Sequence, residues 1–409
     1  MRAKTLKTWV LLLLAAMFAI HVSMAWNSRD LIRKGYPDFT IFYSAGKILR
    51  EGLGTELYDE TTQYRVQQEF AAGVSIRQGP LPYNHPPFEA LLFVPFTYLP
   101  YFSAYLLWNV INLLILCSLP LLLRQHIPLI GSASRAFWLL AALAFFPVFV
   151  TLLQGQDTII LLLLLALMFI SLKKKADFSA GLWLGLGLFR FQVIMALVVL
   201  LLLNRKWKAI AGFLSAGFVL AVISIVLVGA KGASNYPSYL WSAEKQMHHG
   251  ASIVSDMPNL RGFIETVLGQ TVSNTTLNSL IAISSIALLA AATKWKLSAN
   301  VNLGFSLAII VAILVSYHSL AHDLSVLFLP GLLIINCLRA GETRAWRRLA
   351  LLGPMLLLFL SPVEILLLFH YQRLYLLAPV LLLWSVAIGN EMSSQERELA
   401  SSIVGMIRA

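Results

Sequence analysis

The chain has 409 residues, 58% of them hydrophobic and 12% charged, with a formal net charge of +12. Soluble domains carry roughly 25% charged residues, so this composition excludes a soluble globular protein and points to a membrane. Apolar runs of about the 20 residues needed to cross a bilayer recur, without the alternation of outer-membrane barrel strands, which leaves an all-α polytopic membrane protein.

Residues 8–26 are the first predicted span, preceded by Arg2, Lys4 and Lys7. With its Ser23-Met24-Ala25 end the segment resembles a signal peptide, but we read it as an uncleaved anchor with the N-terminus inside. Residues 27–86 then form a first outer loop. Within it, Ile41, Phe42, Ala45, Ile48 and Leu49 share one helical face, while Thr40, Ser44, Lys47 and Glu51 share the other. That pattern predicts an amphipathic juxtamembrane helix lying along the bilayer surface. Residues 87–123 return to the inside, as one kinked span after a short hairpin or as three short spans, with Pro95 and Pro100 as breaks.

Further spans fall near 136–153, 157–172, 209–229, 276–293, 299–315, 324–338, 349–366 and 374–390. Residues 178–203 are a 26-residue apolar run with basic loops at both ends. Ends on one side of the membrane require a short helical hairpin, each half about 18 Å long, turning at Phe189-Arg190-Phe191-Gln192. The total is about 12 spans (11–13) at the usual length. Residues 230–275 form a second outer loop, and Ser316-Tyr-His-Ser-Leu-Ala-His-Asp323 the last outer connection. No soluble domain is left over, so 1–409 reads as a single polytopic membrane domain.

Lys and Arg concentrate in the short loops 124–135, 173–175, 205–208, 294–296 and 339–348 and at both termini, while the acids concentrate in the other loops. This is the positive-inside asymmetry. It predicts a multi-pass protein of the inner (cell) membrane with both termini cytoplasmic. The basic surplus thus reports topology and contact with anionic membrane lipids, with no nucleic acid partner. Cys117 and Cys337 both lie in apolar runs and suggest neither a disulfide nor a metal site.

Residues that could carry chemistry come from separate segments. Asp38 begins the predicted loop helix, as its N-cap or as a working carboxylate. Gln156 and Asp157, in Gln154-Gly-Gln-Asp157, stand at an outer junction of two spans, where Asp157 either caps the next helix or aligns a base or hydroxyl. Arg190 is an ionisable group amid apolar sequence, which costs several kcal/mol unless it faces a cavity or a partner. It reads as a clamp for a lipid phosphate or as an ion pair, for instance with Asp157. His318 and His322, spaced i, i+4 beside Asp323, suit donor phosphate or proton transfer. Their spacing could also hold a metal, but no HExxH pattern accompanies it. Tyr83 and His85, in Pro82-Tyr-Asn-His-Pro-Pro-Phe-Glu89, could stack on a sugar or anchor at the interface. His248 and His249 beside Lys245 are a weaker signal. No metal site is assigned and no cofactor is called for, though a divalent-cation requirement stays open. Asp38, Asp157, Arg190 and His322 are all directed toward the outer face.

In order along the chain, Asp38-Phe-x-x-Phe-Tyr43-x-Ala-Gly, Leu57-Tyr58, His85-Pro-Pro-Phe, Gly155-Gln-Asp, the run from Ala180-Gly-Leu-Trp-Leu-Gly-Leu to Arg190, and Ser316 to Asp323 before Leu-Phe-Leu-Pro330 resemble glycosyltransferase family 87, the polyprenol-phosphate-mannose-dependent mannosyltransferases and their relatives. Two places depart from that pattern: Arg190-Phe-Gln stands for Lys followed by Pro, and His85-Pro-Pro for Tyr-Pro-Pro. The resemblance implies a GT-C fold with an active site at the outer, periplasmic face. It implies Asp38 as general base; the residues themselves add Asp157, to hold a hydroxyl or orient His322, a catalytic His322 that offsets phosphate charge with Arg190, and Arg190 and His318 on donor phosphate. Tyr43, Tyr83, His85, Gln156, His248 and Asp323 are the expected substrate contacts. The implied partners are a polyprenyl-phosphate sugar donor and a lipid-linked or glycan acceptor, with inversion at the anomeric carbon. Residues alone leave a rival from another class, a transporter or lipid-linked sugar flippase, although the internal repeats typical of transporters are not evident. A non-catalytic subunit is a third reading.

Overall fold

Every regular element among the described residues is helical, as expected where lipid offers no partner for backbone N–H and C=O groups. The computed structural model describes residues 2–71, 81–247, 254–294, 300–340 and 344–408. Helix α1 (Arg2–Asn27) leads to the first loop, whose helices are α2 (Phe39–Arg50), α3 (Glu60–Ala71) and α4 (Pro87–Phe93). Helix α5 (Tyr101–Leu123) follows, then α6 (Arg135–Leu143), α7 (Phe146–Gln154) and α8 (Thr158–Lys173). Next come α9 (Asp177–Leu186), α10 (Phe191–Leu203) and the long α11 (Trp207–Met247), which kinks at Gly229 (φ 72°).

Seven described stretches are long and apolar enough to cross a membrane, or up to nine if each of two sharply bent pairs is one span; Thr158–Lys173 and Val301–Val315 are shorter apolar helices. The sequence-based figure of about 12 counts those short helices, and the two halves of 178–203, as crossings. Between Pro86 and Tyr101 the chain makes a short helix and a 3-10 turn, and the one long helix of 87–123 is α5.

The run Asp177–Leu203 is long and apolar enough to cross a membrane as one helix, but it doubles back. Lys206 Nζ lies 3.4 Å from Asp177 Oδ2, whereas a straight helix of that length would hold its ends roughly 40 Å apart. Small residues permit the packing: Gly181 faces Ala209, Gly185 faces Phe213 and Ala216, and Leu188 reaches Gly217. Helix α11 therefore runs parallel to α9, and α10 is the return limb. The 3-10 turn Gly187–Arg190 is the tip. By this register Arg190 sits about ten residues, or roughly 15 Å, along α11.

The two bent pairs are tied together by a buried histidine. Arg135–Leu143 with Phe146–Gln154 bends by 73°, and Ala345–Phe359 with Ser361–His370 by 64°. His21 reaches the Leu143 carbonyl through Nδ1 and Ser361 Oγ through Nε2, both at 2.8 Å, and its ring stacks on Phe149.

Helix α2 corrects the expectation of a surface helix. Nine of its twelve residues are buried, Thr40 and Ser44 among them. Thr40 Oγ1 donates to the Gly35 carbonyl at 2.7 Å and Ser44 Oγ to the Ile41 carbonyl at 3.0 Å. Once these hydroxyls are satisfied within the protein, the face that looks polar in sequence can pack inward. The other face builds an aromatic core in which Phe42 stacks on Phe93, and Phe39 and Phe93 meet Tyr105 and Trp108. Only Lys47 and Glu51, paired with each other and with Glu69 and Arg65, keep the rim. The second loop closes over the first, since Tyr236 Oη donates to the Asn84 carbonyl and Tyr239 Oη meets the Gln63 side chain.

Candidate active site

The site is assembled where α2, α4, the α7–α8 junction, the tip of the α9–α10 hairpin and a 3-10 turn at Ala321–Leu327 converge. Helix α7 ends at Gly155 in the left-handed region (φ 65°), and a Cβ there would come within 2.7 Å of Phe39 Cβ. Trp108 Nε1 donates to the Gly155 carbonyl at 3.0 Å. This close approach sets Asp38 beside the two glutamines that flank the glycine. The Asp38 N–H donates to Gln154 Oε1 at 3.2 Å, and Gln156 Nε2 donates to Asp38 Oδ2 at 2.8 Å.

Asp38 and Asp157 both occupy N-cap positions, yet neither side chain makes a capping bond. Each carboxylate is used elsewhere. Asp157 Oδ1 accepts from Arg190 Nε at 2.7 Å and also from Nη2. Arg190 Nη2 further donates to Gln156 Oε1, so one amide connects the guanidinium to Asp38. Arg190 Nη1 faces His322 Nε2 at 3.4 Å and Asp323 Oδ1 at 3.5 Å. Of the two sequence readings for Arg190, the structure makes the ion pair with Asp157 and adds Asp323. Arg190 is 4% exposed, and its donors face protein groups.

The 3-10 turn is held in place through its backbone. The His322 carbonyl accepts from Thr151 Oγ1 at 3.2 Å and from Thr158 Oγ1 at 3.1 Å, while Asp323 Oδ2 accepts from the Leu320 N–H at 2.8 Å. Those bonds fix where His322 and Asp323 meet the hairpin tip. Asp38 is half-buried, and among the described residues its Oδ1 takes no protein hydrogen bond.

A model of glycosyltransferase family 87 matches residues 83–330, more than half of the chain. The chain belongs to glycosyltransferase family 87. No curated protein and no solved structure matches it. The matched span holds His85, Gln156, Asp157, Arg190, His322 and Asp323; Asp38 lies before it and joins the group through the Gln154 and Gln156 bonds. Membership makes this chain a membrane glycosyltransferase, which sets the transporter and non-catalytic readings aside.

Other expected contacts of this family-87 enzyme fall elsewhere. Tyr43 is turned into the aromatic core against Phe70 and Tyr101, with its hydroxyl on the Leu99 carbonyl. Both its ring and its hydroxyl thus have partners within the fold. Tyr83 is buried, donates to the Pro86 carbonyl and stacks behind His85, so it positions the imidazole and offers no stacking face for a sugar. His318 is half-buried in the turn before His322, close enough to Asp323 to interact with it electrostatically. His248 lies outside the described residues.

Sequence reasoning missed Glu89. It sits in the first turn of α4, 3% exposed, with Oε2 only 2.7 Å from His85 Nδ1. Its carboxyl also meets Asp157, which joins α4 to the Arg190 network. Burial raises the Glu89 carboxyl to about 7 against the opposing effects of Asp157 and Arg190. Burial, reinforced by Arg190, lowers His85 to about 4, so its imidazole is neutral near pH 7. The available signal was His85-Pro-Pro-Phe-Glu89 itself: an acid at i+4 from a histidine, within an otherwise apolar helix start.

An apolar crevice between α8, α10 and Val301–Val315, lined by Met168, Leu197, Leu201 and Phe305 with Lys206 at its edge, shares no residue with this network. Gly155 is the most sensitive backbone position of the polar cluster. Gly155→Ala is expected to lose about 1–2 kcal/mol from the left-handed conformation alone, with more from the clash with Phe39. A melting curve of the purified protein checks this, and an unchanged Tm would contradict the packing described.

Proposed function

We propose that this family-87 chain transfers mannose from a polyprenyl phosphate to a lipid-linked or glycan acceptor at the outer face of the cell membrane, in a GT-C fold of about 12 spans with Asp38 as general base. The observation that carries the reading is the Asp38 carboxylate, held at one oxygen by Gln156 and open at the other beside a buried arginine network.

In this reading the acceptor hydroxyl approaches Asp38 Oδ1 and attacks the anomeric carbon as Oδ1 takes its proton. The bond from that carbon to the phosphate oxygen breaks, and polyprenyl phosphate departs with the electron pair. One displacement inverts the anomeric configuration. A positioned base of this kind contributes roughly 10²–10⁴ in rate. Arg190 and His322 stand where they offset charge on the departing phosphate, in surroundings where water screens little. Asp157 and Asp323 hold the guanidinium in position. In this reading His318 contacts the donor, and His85 and Gln156 the sugar.

The test is a reaction of the purified protein in lipid nanodiscs with a panel of radiolabelled polyprenyl-phosphate sugars and membrane glycolipid acceptors. The expected product carries mannose in the configuration opposite to the donor. A product of retained configuration, or transfer from nucleotide sugars only, overturns the reading.

A further inference from the structure

We propose that His85, Glu89 and Asp157 form a binding site for one divalent cation of the Mn²⁺ or Zn²⁺ class, adjoining the Arg190 network. One donor atom from each residue lies within 4.8 Å of the other two. A single ion with bonds of ~2.2 Å spans at most about 4.4 Å between its ligands, so a small side-chain rotation closes the set. The three residues are 9%, 3% and 1% exposed.

The second observation is a set of unmatched acceptors. His85 Nδ1 stands 2.7 Å from Glu89 Oε2, while Glu89 Oε1 and Asp157 Oδ2 are buried with no hydrogen bond of good geometry among the described residues. Asp157 already gives Oδ1 to Arg190, which leaves Oδ2 available to an ion. Buried acceptors facing one another are costly unless something positive lies between them. An imidazole N–H can serve Glu89 Oε2; a cation in its place engages all three residues at once.

Charge points the same way. Asp38, Glu89, Asp157 and Asp323 gather around one guanidinium. Such a cluster repels a phosphate, and a divalent ion would reverse that locally. This part of the argument rests on the donor proposed above, whereas the ligand geometry does not. An imidazole with two carboxylates favours Mn²⁺ or Zn²⁺ over Mg²⁺ and Ca²⁺, which prefer all-oxygen shells. The ligands are also well supported: Phe42 meets the His85 ring edge-on at 4.9 Å, Tyr58 Oη donates to the His85 carbonyl at 2.9 Å, and Arg190 orients Asp157. Supporting contacts of this kind are what hold metal ligands in place. Three protein ligands leave positions open for water or a phosphate oxygen.

The experiment strips the full-length protein in detergent with a chelator, then titrates Mn²⁺ and follows loss of the free-ion electron paramagnetic resonance signal. Saturable binding of one Mn²⁺ per chain is expected, displaced by Zn²⁺, with nitrogen coupling from a directly bonded imidazole. Glu89→Gln and His85→Ala should each weaken binding at least ~10-fold, while Glu364→Gln, at a buried carboxylate outside the cluster, should not. Absence of saturable binding by the wild-type protein, absence of nitrogen coupling, or full affinity in a folded Glu89→Gln variant overturns the site. If Mn²⁺ binds and no prenyl-phosphate sugar is used, the donor reading falls alone. Undiminished transfer by the stripped, metal-free enzyme, with no binding on titration, removes the cation and leaves the donor reading standing.

Discussion

Asp38→Asn is expected to reduce kcat by roughly 10²–10⁴ with the fold intact. Asparagine has nearly the same shape, and its amide oxygen can keep the bond from Gln156 Nε2 that Asp38 Oδ2 now accepts. The Asp38 N–H bond to Gln154 does not involve the side chain and persists. The side chain makes no capping bond, so helix α2 loses no cap. What disappears, in the proposed reading, is the carboxylate oxygen that takes a proton from the acceptor hydroxyl. The measurement is single-turnover transfer together with the melting temperature and donor binding. Near-normal turnover with an unchanged Tm removes Asp38 as the base.

Arg190→Met is expected to cost stability as well as activity. The guanidinium is buried and contacts Asp157, Asp323, Gln156 and His322. Removing one partner of a buried ion pair leaves the other charge uncompensated, typically at 3–5 kcal/mol. Methionine keeps most of the apolar stem, so little of the loss comes from packing. Adding Asp157→Asn should recover part of the stability, because it removes one of the stranded charges, and it should recover no activity. Thermal unfolding of the single and double variants gives the coupling directly. A single variant as stable as the parent contradicts the ion pair as drawn. Arg190→Lys is a finer probe: it keeps the charge but loses the fork that serves Asp157 and Gln156 together.

Much of this layout was legible in one dimension. The membrane class follows from hydropathy, and the hairpin at 178–203 follows from basic residues at both ends of a run too short for two full crossings. Arg190 stood out because a charge amid apolar residues needs a partner. Other features were misread or missed for reasons that are equally local. The face Thr40, Ser44, Lys47 and Glu51 looks solvent-exposed by periodicity, but short hydroxyls can be satisfied by neighbouring backbone, and α2 is buried on both sides. Glu89 was not singled out, because its second partner, Asp157, is distant in sequence. Tyr43, next to the Asp38 motif in sequence, points away from it in space.

By itself, then, the sequence determined the all-helical membrane character, the turn that carries Arg190 and the set of polar residues available for chemistry. Only the tertiary structure decided which of them meet. Hydropathy and periodicity describe neighbours a few positions apart, whereas Asp38 and Gln156 are separated by 118 positions and Arg190 and His322 by 132. Those contacts depend on how Gly155 admits Phe39, how small residues let α9 lie against α11, and where Thr151 and Thr158 hold the His322 backbone. Packing of this kind drew two apparent helix caps into one polar network and brought Glu89 to their side.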